Sequence, residues 1–118
     1  MKTAAELFGE AKDRVTQMTA TETLALRGAN ASTVLIDVRE DREWNLGHAS
    51  GAVHMSRGTL ESKIDAVVPR DATVVLYCAS GNRSALAAES LQAMGYTNVA
   101  SMAGGFRGWV DAGGEVEG

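Results

Sequence analysis

Two short apolar runs limit what this chain can become. "TVLIDV" (33–38) and "ATVVLYC" (72–78) are rich in β-branched and apolar residues and too short for buried helices, so both read as central strands. The segments around them have helical spacing. Leu7, Ala11, Val15 and Met18 fall four, four and three residues apart, with Glu6, Glu10, Lys12, Asp13 and Gln17 on the other side. This predicts an N-terminal amphipathic helix within 1–18. "TATETLALRGAN" carries a capping-box pair, Thr19 with Glu22, and Gly28 offers a stop, giving a second short helix. "AVHM" (52–55) reads as a short strand, 59–68 as a helix ended by Pro69, 83–95 as a helix stopping at Gly95, and 98–102 as a last strand. A brief helix and a loose tail over 111–118 close the chain. Strands alternating with helices imply an α/β fold, a parallel sheet covered on both faces.

The length of 118 residues fits one domain, 1–118, with enough chain to bury a core. Apolar residues make up 45% and charged residues 22%, both ordinary for a globular protein. No apolar run is long enough for a membrane span, and the first residues lack the apolar centre of a signal peptide, so no membrane partner is expected. A net charge of −4 argues against nucleic acid as the main partner. The single cysteine excludes an internal disulfide and suits a reducing, cytoplasmic setting.

That cysteine, Cys78, ends the second strand, and Ala79, Ser80, Gly81 and Asn82 lead straight into the helix that starts near Arg83. Ligands of open α/β sheets bind outside the carboxyl ends of the strands. The first amides of a helix lack intrahelical acceptors, and its dipole adds partial positive charge at the same end. Gly81 permits a turn with φ > 0, in which successive N–H groups converge on an anion. Small Ala79 and Ser80 leave the bowl open above the sulfur. A thiol placed there is favoured as a thiolate, and Arg83 adds a permanent cation with forked donors. A free cysteine ending a buried strand is commonly an apolar filler. The Gly-and-Arg loop running directly into a helix favours covalent catalysis instead, needing neither metal nor cofactor.

"CASGNRS" resembles the active-site loop of the rhodanese (thiosulfate sulfurtransferase) superfamily. "LIDVRE", "GHASGAVHM", "GYTNV" and "MAGGFRGW" resemble that family's other motifs, in the right order and over nearly the whole chain. The resemblance implies a rhodanese-like five-stranded, mainly parallel sheet with helices on both faces. It implies sulfur transfer through a Cys78 persulfide, from a small anionic donor such as thiosulfate or polysulfide to cyanide or a thiol, including a thioredoxin-like protein. By the same similarity, Arg83 holds the loop and Asp37 hydrogen-bonds around it. Ser84 has two roles open to it, capping the helix or bonding the anion.

The other candidates keep open readings. Arg39 is either a solvated member of the charge run 39–43 or a cation beside the loop. Arg57 either lines the mouth and attracts the donor or is a plain surface arginine. By resemblance, His48 is structural, bonding backbone in the loop before Gly51. His54 belongs to core or surface, and the two histidines show no metal spacing. Trp44 and Trp109 are expected at the core edges with their indole N–H groups outward. Ala49-Ser50 stand where the family usually has Ile-Pro, which predicts a more mobile loop. Cysteine phosphatases and arsenate reductases share this loop logic but place one residue more between cysteine and arginine than the four here. A tighter bowl suits one extra sulfur better than a tetrahedral phosphate. A non-catalytic binding module is the rival from another class, and such copies often lose the cysteine that this chain keeps.

Overall fold

The computed structural model describes residues 1–118. Its elements are α1 (Ala4–Arg14), β1 (Thr16–Met18), α2 (Ala20–Ala29), β2 (Val34–Asp37), α3 (Asp41–Asn45), β3 (His48–Ala49), β4 (Val53–His54), α4 (Leu60–Val67), β5 (Val74–Tyr77), α5 (Asn82–Ala93), β6 (Val99–Met102), α6 (Gly105–Asp111) and β7 (Val116–Glu117). Five strands form one parallel sheet in the order β1-β6-β5-β2-β4. The expected α/β architecture is therefore present, with β2 and β5 side by side at its centre. No helix is long and apolar enough to cross a membrane.

Side-chain alternation divides the core between the two faces of the sheet. Ile36, Val38, Val74, Leu76 and Cys78 pack with Ala11 of α1, Leu60 and Ile64 of α4, and Ala85, Ala88 and Leu91 of α5. Leu35, Val75, Tyr77 and Met102 pack on the other face with Ala20 of α2 and Trp109 of α6. α1 and α2 each begin with a reciprocal capping box, Thr3 with Glu6 and Thr19 with Glu22.

Both chain ends depart from the sequence reading. The helix expected within 1–18 stops at Arg14, and Thr16–Met18 run instead as an edge strand along β6. Val15 keeps the helical spacing, but as the extended C-cap residue it turns the chain onto the sheet. The tail is not loose over its whole length. Val116 and Glu117 pair antiparallel with Ala49 and His48. The Trp109 indole N–H does not face outward but donates to the Glu115 carbonyl at 2.8 Å, with only 1% of the residue exposed. A Cβ on Gly114 would overlap the Trp109 ring, so the chain crosses the indole at a residue that has none. This return also pins the Ala49–Ser50 segment, contrary to the expected looser loop. The Ser50 N–H donates to Glu115 O and its carbonyl accepts from Arg27.

A buried polar network closes the carboxyl end of the α2/α6 face. Arg39 is 5% exposed and donates to both Asp37 carboxylate oxygens and to Gly47 O. Tyr77 donates its hydroxyl to Asp37 at 2.6 Å and accepts from the Ala49 N–H. Burial, and then this bond to Asp37, push the Tyr77 hydroxyl above its ordinary pKa. The Arg39 guanidinium lies over the Phe106 ring, 4.3 Å from its centroid. Removing one member of a buried ion pair leaves the other charge uncompensated. Arg39→Met is expected to lower unfolding stability by about 3–5 kcal/mol in urea titrations, and addition of Asp37→Asn should recover part of the loss. A loss below about 1 kcal/mol would show that Asp37 finds another partner.

Candidate active site

The loop between β5 and α5 wraps around the Cys78 sulfur. Gly81 adopts φ +103° and precedes the first turn of α5, so its amide points back into the loop. The Gly81 N–H donates to Sγ at 3.1 Å and the Ser84 N–H at 3.4 Å. Sγ also lies 3.5 Å from Ser84 Oγ, which is 2.8 Å from Ser101 Oγ on β6. Burial is the largest influence on the thiol and pushes its pKa up. The Ser84 hydroxyl and the amides of Ser84, Ser80 and Gly81 more than offset it, and the pKa lies below the ordinary thiol value.

Ala79 and Ser80 are exposed, yet Cys78 itself is only 1% exposed. The expected open bowl is thus nearly closed over the sulfur by the loop backbone. The loop is also braced from behind. The Phe106 N–H donates to Cys78 O at 2.8 Å. Gly105 adopts φ +55°, and a Cβ there would overlap the Ala79 and Cys78 carbonyls. Only a residue without a side chain lets α6 start so close to the loop.

The charged candidates have more specific partners than the sequence suggested. Arg83 donates through both terminal nitrogens to the two Glu43 carboxylate oxygens, at 2.7 and 3.1 Å. It therefore ties α5 to α3, with its charge shared between Glu43 and the nearby Cys78. Asp37 does not bond the loop. It pairs in register with Tyr77, so alternation turns its side chain to the face opposite Cys78. Arg39 is not solvated: it is buried and pairs with Asp37. Arg57 donates to Glu61, whose carboxylate also accepts from Ser90 Oγ and so joins α4 to α5. Asn82 is half-buried as the first residue of α5.

Trp44 stacks between the two imidazoles, with centroids 3.4 Å from His48 and 4.9 Å from His54. His48 Nδ1 lies 3.0 Å from the Trp44 carbonyl, the expected backbone bond, and His54 Nε2 lies 2.8 Å from Arg39 O. The stack holds α3, which carries Glu43, against the rest of the sheet end. No group of histidine, cysteine and carboxylate side chains is placed to hold a metal ion.

Sequence reasoning missed three residues here. Glu43 lies in the charge run 39–43, and its signal is the Glu40–Glu43 spacing, since the Glu40 N–H does donate to Glu43. Ser101 was one small polar residue in an apolar strand. Gly105 lies within "MAGGFRGW", which says nothing of its contact with the Cys78 loop.

The family model for the rhodanese-like domain matches residues 19–112. The thiosulfate sulfurtransferase GlpE of Tolumonas auensis is 35% identical over 78 residues, covering 66% of this chain and 73% of that protein. A probable adenylyltransferase/sulfurtransferase MoeZ of Mycobacterium tuberculosis is 37% identical over 76 residues, 64% of this chain but only 19% of that larger protein. Among solved structures, a protein of unknown function from Rhodopseudomonas palustris, described as a possible tyrosine phosphatase, superposes with a TM-score of 0.87 at 37% identity. That match covers 99% of this chain and 96% of the other.

The pair between Arg83 and Glu43 has a definite pH signature. Its bond to Arg83, above all, holds the Glu43 carboxyl down to about 2. A carboxylate lowered on folding stabilises fully above its unfolded pKa and loses that contribution as pH falls through the folded value. Glu43→Gln is expected to cost about 1 kcal/mol at neutral pH. In urea titrations that difference should shrink below about pH 4 and vanish towards about pH 2. An equal cost at neutral pH and at about pH 3 would contradict the ion-pair origin.

Proposed function

The chain belongs to the rhodanese-like domain family, and from that premise we propose that it is a sulfurtransferase working through Cys78. The observation that carries this reading is the sulfur itself, a lone thiol encircled by the Gly81 and Ser84 amides and the Ser84 hydroxyl. The relative GlpE is a thiosulfate sulfurtransferase, which makes a thiosulfate-type donor the first choice.

In the first half-reaction, the Cys78 thiolate attacks the outer sulfur of thiosulfate. A new S–S bond forms, the old one breaks, and sulfite leaves with its electron pair. The persulfide then carries the negative charge on its terminal sulfur, beside the donors that held the thiolate. In the second half-reaction, cyanide or an external thiolate attacks that terminal sulfur, and Cys78 departs as the thiolate. With one cysteine in the chain, no internal thiol can resolve the persulfide, so the acceptor comes from outside. This is a ping-pong scheme requiring no cofactor. Ala79, Ser80, Gly81, Asn82 and Ser84 form the cradle. Arg83 positions it through Glu43, and Asp37 with Arg39 braces the opposite face.

The possible phosphatase activity ascribed to the Rhodopseudomonas palustris protein does not suit this site. Four residues separate Cys78 from Arg83, the sulfur is nearly enclosed, and Gly105 leaves the loop no room to expand backwards. Arg83 is engaged by Glu43, which leaves no free fork for phosphate oxygens. A binding-module role is likewise disfavoured, because the thiol and its donors are intact.

Intact-protein mass after brief exposure to thiosulfate tests the proposal. The expected result is a gain of one sulfur that cyanide removes and that Cys78→Ser abolishes. A gain with polysulfide alone would keep the mechanism and change the donor. No gain from either would overturn sulfur transfer.

A further inference from the structure

Ser101 is an unusual residue for its place. It lies in β6 opposite Leu76, on the sheet face filled by Cys78, Ala85 and other apolar side chains, and it is fully buried. Placing a hydroxyl there costs stability unless it is hydrogen-bonded. Its one side-chain partner is Ser84 Oγ, also fully buried, whose other neighbour is the Cys78 sulfur. The three groups form a chain running from sulfur to hydroxyl to hydroxyl.

The direction of that chain follows from counting protons. When Cys78 is a thiolate, two O–H groups face two acceptors. Ser101 donates to Ser84 Oγ, Ser84 donates to Sγ, and every proton is used. When Cys78 is a thiol, a third proton enters the chain, and either the S–H or the Ser101 O–H is left without an acceptor within it. Donation from Ser101 also polarises the Ser84 hydroxyl, strengthening its bond to a charged sulfur.

We propose that Ser101 is a positioning residue for sulfur transfer: its hydroxyl turns the Ser84 O–H onto Cys78 Sγ and so favours the charged nucleophile. The inference deepens the sulfurtransferase reading, because it concerns the same sulfur, but its test needs no sulfur donor. The residue acts through Ser84 and touches neither donor nor acceptor.

Because Cys78 is the only cysteine, the ultraviolet absorbance of the thiolate reports on one site once the Cys78→Ser spectrum is subtracted. Followed against pH in the full chain, the midpoint is expected to rise by about half a pH unit in Ser101→Ala, a roughly threefold loss of thiolate below the midpoint. Ser101→Thr, which keeps the hydroxyl, should restore it. A role confined to tying β6 to α5 would lower stability in urea and leave the midpoint in place. An unchanged midpoint in folded Ser101→Ala would overturn the proposal. Should that variant fail to fold, Ser101→Val, close in shape to the threonine variant but without its hydroxyl, supplies the same absorbance test. Its midpoint should also rise, and an unmoved midpoint would overturn the proposal. Failure of thiosulfate to load the wild-type protein would count against sulfur transfer while leaving the absorbance midpoints to decide the role of Ser101.

Discussion

Alternation along β5 sends Tyr77 and Cys78 to opposite faces of the sheet, and the organisation of its carboxyl end follows from that division. Tyr77 is drawn into the network of Asp37 and Arg39, where its hydroxyl donates to a buried carboxylate. Cys78 is directed to the face where α5 begins, and so meets free amides rather than carboxylates. Had both side chains shared a face, Asp37 would stand beside the thiolate and oppose its charge. The two halves still communicate through backbone, because Phe106 packs under Arg39 while its N–H holds the Cys78 carbonyl.

The sulfur's charge is managed by dipoles more than by a formal cation. Arg83 is the obvious positive group of the loop and its charge does act on Cys78, yet its fork is bonded to Glu43, and the leading influences that lower the Cys78 pKa are hydrogen bonds from Ser84, Ser80 and Gly81. Fixed backbone dipoles in a dry loop stabilise charge without having to reorganise when it forms. In the proposed cycle the charge moves from Sγ of the thiolate to the terminal sulfur of the persulfide, one bond away, so the same dipoles face an anion in both half-reactions. The Arg83–Glu43 pair contributes geometry instead, fastening the start of α5 to the short α3.

The central strands and the site loop were legible because their signals are local. β2 and β5 are continuous apolar runs, and the Cys-to-Arg loop is contiguous in sequence. β1 and β7 were not, since short polar edge strands have no period of their own and exist only by pairing with residues far along the chain. Val15 continued the helical spacing past the true end of α1, so periodicity overran by the length of an edge strand. The partners of Asp37 and Arg39 were not legible for a related reason. A motif puts residues near a site, but only the register of β2 against β5 decides which face they serve. Glu43 and Ser101 reach the loop from other elements, α3 and β6; the Glu40–Glu43 spacing marks a helix start but not the bond to Arg83, and nothing adjacent announces Ser101.

A cradle that holds a charged sulfur must itself register the charge. The most direct measurement is the amide proton shifts of Gly81 and Ser84 followed by NMR as a function of pH. Both are expected to move downfield together as the thiolate forms, with a shared midpoint below the free-thiol value of about 8.5, and both transitions should vanish in Cys78→Ser. Amides that do not titrate, or that titrate only at or above that value, would contradict the claim that this loop stabilises the sulfur as an anion.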